Sequence, residues 1–87
     1  MPSNTEKLIQ SLKSSGIFSE LEISKLKSTN LPSPSEIESF GQEPEVSAIL
    51  EDFSDQPNEQ MVELQKLAKQ YLEENQPRNA WKVILQD

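Results

Sequence analysis

Helix-starting chemistry recurs along the whole 87-residue chain and constrains its fold more than any other feature. Ser3-Asn4-Thr5-Glu6, Ser19-Glu20-Leu21-Glu22 and Ser33-Pro34-Ser35-Glu36 each fit the capping box. There a Ser hydroxyl accepts from a free backbone N–H, and the Glu three residues on reaches back to the Ser backbone. Pro34 would stand at the first helical position, where no N–H is needed. Pro44, Pro57 and Pro77 each precede an apolar-periodic stretch and suit opening it. Gly16 and Gly41 each follow such a stretch and are expected to close it in the left-handed conformation.

The apolar spacing agrees with this punctuation. Leu8, Ile9 and Leu12 mark a first helix, and Leu21, Ile23 and Leu26 a second. Ile37 and Phe40 mark a short third. Val46, Ile49, Leu50 and Phe53 match the full i, i+3, i+4, i+7 pattern of a fourth. Met61, Leu64, Ala68 and Tyr71 form the stripe of the longest, with Leu67 and Leu72 beside it. Ala80, Trp81, Ile84 and Leu85 mark the last. Strand signals are nearly absent, with no Asn-Gly or Asp-Gly turn and no alternating Val/Ile/Thr run. The expectation is an all-α protein, a compact bundle of five or six short helices with no sheet. Residues 1–87 read as one domain: a helix pair over about 4–29, a Pro-rich linker at 30–34, and a helical unit over 35–87. Trp81 would anchor an interface if exposed, but its helical spacing favours the core, near Tyr71.

Leu, Ile, Val and Phe make up 22 of the 87 residues. That quarter lies above the roughly 20% level at which disorder becomes the default. A chain this short buries only about 60–65% of its unfolded surface, so its core is thin. There is no Cys and no His. Disulfides, thiolate metal sites and Ser–His or Cys–His nucleophile systems are therefore excluded. The carboxylate pairs Glu51/Asp55 and Glu59/Glu63 fall on predicted solvent faces, not in a cleft. Asp52-Phe53-Ser54-Asp55 lacks the alternating oxygen ligands and central Gly of a calcium loop. No enzyme, cofactor or metal is expected. The N-terminus is polar and the longest apolar runs are three residues, Ala48-Ile49-Leu50 and Val83-Ile84-Leu85. Neither a signal peptide nor a membrane span fits, and a cytoplasmic location is expected.

Charge is sharply segregated. Between Ser28 and Gln65 stand nine acidic residues and no Lys or Arg. Residues 1–27 and 66–87 each carry +1, so the net charge of −7 comes from this middle block. On a helical wheel Glu45, Glu51, Asp52 and Asp55 lie opposite the apolar stripe of the fourth helix, and Glu59 extends the pattern into the fifth. Such a surface attracts basic partners and repels phosphates. Glu45, Glu51, Asp52, Asp55 and Glu59 are the candidate contacts with the basic surface of a protein partner. The blander reading is a solvated face that maintains solubility. Two further readings are a mimic of nucleic acid that occupies a DNA- or RNA-binding groove, and a structural homodimer. In the homodimer Arg78 and Lys82 of one copy would meet the acidic block of the other. Direct nucleic-acid binding is disfavoured, because the eight basic residues are split between the two ends and include one Arg.

Leu64, Leu67, Ala68, Tyr71, Ala80 and Ile84 follow the small and large positions of a helix pair in which Ala68 and Ala80 allow close approach. Over about residues 61–84 this spacing resembles the tetratricopeptide repeat. Asn75 stands where Gly is usual in the turn, and the terminal Pro and a second repeat are lacking. The resemblance implies a peptide- or protein-binding scaffold.

Overall fold

A computed structural model describes residues 4–86. Its elements are α1 (Asn4–Ser15), α2 (Glu20–Lys27), α3 (Pro34–Phe40), α4 (Pro44–Asp52), α5 (Pro57–Glu73) and α6 (Pro77–Ile84). All are helices, and no strand occurs among the described residues. The bundle measures 32 × 29 × 24 Å.

Local chemistry accounts for most of the boundaries. Pro34, Pro44, Pro57 and Pro77 each occupy the first turn of a helix, where the missing N–H removes no bond. Ser19 and Glu22 form the complete capping box. The Glu22 N–H donates to the Ser19 hydroxyl at 3.3 Å, and the Ser19 N–H donates to the Glu22 carboxylate at 2.8 Å. Ser33 caps α3 through the Glu36 N–H. The capping box expected at Ser3 lies outside the described residues.

Gly16 ends α1 with φ +74°, as expected of a left-handed cap. Gly41 does not. Its φ is −63°, because the chain runs on in right-handed turns, with Gln42 N–H to Ser39 and Glu43 N–H to Phe40, directly into α4. A different constraint acts there: a Cβ at residue 41 would stand 2.9 Å from Gln86 Oε1 and 3.2 Å from the Glu38 carbonyl. A side chain at residue 41 would therefore make the Gln86 amide and the end of α3 shift, while the backbone angle makes no demand for glycine. Asn75 takes the left-handed position at the end of α5, with φ 60°. The Gln76 N–H returns to the Tyr71 carbonyl and the Asn75 N–H to that of Leu72. These two bonds complete a Schellman motif, a position Asn tolerates better than most residues.

The core runs through α1, α2, α5 and α6. Ile9, Leu12, Phe18, Ile23 and Leu26 meet Leu64, Leu67, Ala68, Leu72, Ala80, Trp81 and Val83, with Val46 added from α4. Trp81 is fully buried, and its indole N–H donates to the Leu26 carbonyl at 2.9 Å. That bond ties the last helix to the C-terminal end of α2. The pair α5–α6 turns at residues 74–76 and packs together, with Ala68 and Ala80 both buried. Met61 departs from its expected place on the buried stripe and is 51% exposed. Length explains this. At 17 residues α5 spans about 25 Å, whereas the 8 residues of α6 span about 12 Å. The N-terminal half of α5 therefore overhangs its partner.

The segment α3–α4 is held more lightly. No residue of α3 is fully buried, and Val46 is the one buried residue of α4. Ile49, Leu50 and Phe53 are half-buried. Polar and aromatic ties supply the rest. Arg78 grips Glu36 through Nη2 at 2.7 Å, and Lys82 lies 3.9 Å from the same carboxylate. Gln86 donates to the Ile37 carbonyl at 2.6 Å, and Gln60 to the Leu50 carbonyl at 3.1 Å. The Phe40 and Tyr71 rings meet edge to face at 5.7 Å, with the Lys82 ammonium 5.4 Å from the Phe40 ring centre.

Candidate functional site

Glu45, Glu51, Asp52, Asp55 and Glu59 are all exposed. They divide between the two ends of α4. Glu51 and Asp52 occupy its last turn, Asp55 the following loop, and Glu59 the first turn of α5. Glu45 sits at the opposite end, in the first turn of α4. There it lines a groove of about 200 Å³ with Leu67, Gln70, Tyr71 and Glu74. Burial pushes the Tyr71 hydroxyl above its ordinary value, and the negative charges of Glu45, Glu43 and Glu74 push the same way. Three carboxylates thus bear on one phenol. Glu43 and Glu74 are site residues that sequence reasoning does not single out. Glu74 lies 29 residues beyond Glu45, and no local pattern signals their meeting.

One acidic focus stands where α4 ends and α5 begins, and the other where the start of α4 meets the end of α5. Glu51 and Asp52 close α4, and Glu73 and Glu74 close α5; neither helix has a basic residue in its last turn. Aligned peptide dipoles leave about half a negative charge at such an end, so acids there are unfavourable by roughly 0.3–1 kcal/mol each. Glu51, Asp52, Glu73 and Glu74 thus oppose helix stability, whereas Glu43, Glu45 and Glu59 stand at helix starts, where the dipole favours them; all of them concentrate negative potential.

The distribution of ion pairs sharpens this. Among the described residues, Lys66 pairs with Glu63, Lys69 with Glu22, and Arg78 and Lys82 with Glu36. Every basic residue of α5 and α6 is therefore engaged within the chain, including the two cations considered above for a second copy. Glu36 is held below the ordinary carboxylate range by the hydrogen bonds from Arg78, which outweigh its desolvation. Burial would raise Glu22, but hydrogen bonds from Lys69 and Ser19 reverse this and hold it below its ordinary value. Glu43, Glu45, Glu51, Asp52, Asp55, Glu59 and Glu74 have no ion-pair partner among the described residues.

Apolar surface borders the acids. Met61 and Val62 are exposed in the turn of α5 that follows Glu59. Met61 also lines a groove of about 250 Å³ with Leu8, Pro57, Leu64 and Ile84. No group of acids among the described residues is arranged to hold a metal ion, and no described helix is long and apolar enough to cross a membrane. Comparison with known proteins finds no matching family model, no matching curated protein and no matching solved structure.

Proposed function

We propose that this chain is a small acidic protein–protein interaction module that docks the basic surface of a partner, as an adaptor, regulatory subunit or inhibitor. One observation carries the reading. Seven carboxylates without an ion pair among the described residues gather at the two ends of α4, and three of them, Glu51, Asp52 and Glu74, add repulsion at the negative end of a helix dipole. A cationic partner would relieve that repulsion and gain from the same potential. Glu51, Asp52, Asp55 and Glu59 would meet its basic residues at one focus, and Glu43, Glu45 and Glu74 at the other. Met61 and Val62, at the edge, would add apolar contact. The role is binding and not catalysis, it needs no cofactor, and we place it in the cytoplasm.

The test is a pull-down at low and high salt with the wild-type chain and with a Glu51→Lys/Asp52→Lys/Asp55→Lys variant as bait. Basic proteins retained by the wild type at low salt, released at high salt and lost to the variant are expected, with the helical circular dichroism unchanged. Retention of the same proteins by the variant would remove this surface from the account.

A further inference from the structure

We propose that the α1–α2 face binds the acidic α4–α5 turn of a second copy of this chain. The contact shares the acidic turn with the foreign partner proposed above and adds the basic α1–α2 face, so it stands or falls on self-association and not on capture of another protein. The cations left without an ion pair among the described residues are Lys7, Lys13, Lys25 and Lys27, and all of them lie on α1 and α2. Lys13 and Lys27 flank a groove of about 430 Å³ floored by Phe18 and Ile23, with Glu20 and Ser24 on its wall. Lys27 also borders a second groove of about 410 Å³ that reaches Ile9 and carries Glu6 on its rim. The wall acid, Glu20, is in the first turn of α2, where the helix dipole favours it. Lys13 and Lys27 stay available to an incoming carboxylate.

The apolar residues follow the same division. Leu21 is 67% exposed on α2, one turn before Ser24 on the groove wall. Met61 and Val62 are exposed beside Glu59 on the acidic side. Three of the four large exposed apolar side chains of the described residues thus stand on the two faces of opposite charge, the fourth being Leu31. Asp55 and Glu59 of one copy would meet Lys13 and Lys27 of the next, with Val62 and Met61 against Leu21.

Net charge opposes the contact: each copy carries −7. At about 0.15 M salt, however, the screening length is only about 8 Å. That is a quarter of the 32 Å long axis, so distant repulsion is screened and charges in contact are not. The two faces differ, so the contact is heterologous and adds copies head to tail.

Light scattering and sedimentation equilibrium at high micromolar protein test the proposal. At about 0.15 M salt the average mass should rise with concentration above the monomer's 9.9 kDa, and at about 1 M salt it should return to it. Lys13→Glu/Lys27→Glu and Asp55→Lys/Glu59→Lys should each be monomeric alone, and an equimolar mixture of the two should associate again. Leu21→Ser, which leaves the charges intact, should weaken the association. A protein that stays monomeric at every concentration in about 0.15 M salt, or an association that survives either reversal or about 1 M salt, would overturn it.

Discussion

The α5–α6 pair and the α3–α4 segment share one molecule and divide its work. Seven of the thirteen buried apolar side chains among the described residues belong to α5 and α6, and one, Val46, belongs to α3–α4. The acids are distributed the other way. Glu36, Glu38, Glu43, Glu45, Glu51 and Asp52 all lie between the start of α3 and the end of α4. One region supplies burial and the other supplies potential. The contrast teaches that removing the unpaired charges of α4 should leave the fold intact, and that opening α3–α4 should leave the α5–α6 core standing.

The largest break should come from the core. Trp81→Ala removes the anchor and its bond to Leu26, and should destabilise by about 3–5 kcal/mol. A chain of this length has only roughly 4–13 kcal/mol in total, so chemical denaturation should show much of the cooperative transition lost. The matching change on the other side, Val46→Ala, removes about two methylene equivalents and should lower stability by about 1–2 kcal/mol. Amide exchange should then show α4 opening more often while Leu67 and Leu72 keep their protection.

Acid should act on the ion pairs that tie α2 and α3 to the α5–α6 pair. Glu22 is held below its ordinary value of 4.5 in the folded chain. Its contribution is therefore fully present above about pH 4.5 and is lost as pH falls through the folded value, where the unfolded chain takes up the proton more readily. Glu36 shifts in the same direction. Glu22→Gln keeps the capping geometry and removes the charge opposite Lys69. It should lower stability at neutral pH by about 1–2 kcal/mol, between the limits for exposed and buried pairs. It should also flatten the acid limb of the stability–pH curve measured by urea denaturation.

The smallest effect has the opposite sign. Asp52→Lys places a cation at the end of α4 and should raise stability by about 0.3–1 kcal/mol. A loss of stability on that substitution would mean that Asp52 has a structural role its exposure does not reveal.

Much of this architecture is legible in the sequence, because it is written in local chemistry. The prolines that open four helices, the Ser19–Glu22 box and the left-handed Gly16 each depend on residues a few positions apart. Long-range placement was not legible. The Gln86 side chain closes on Gly41 from 45 positions away, and Arg78 reaches Glu36 across 42. The carboxylates around Tyr71 come from α4 and from the end of α5, and only the folded chain brings them together. Met61 carries the right periodicity for the core, yet periodicity does not encode how far α6 extends beside α5. Exposure of the five acids chosen from the helical wheel agrees with the structure, but their division between two ends of α4 required coordinates.

Native-state amide exchange across a series of low denaturant concentrations tests the division of labour most directly. Amides of Leu67, Ala68, Leu72 and Trp81 should exchange only through global unfolding, with rates that climb steeply with denaturant. Those of α3 and α4 should exchange through local openings that hardly respond to it. Equal protection and equal denaturant dependence in both regions would contradict the account.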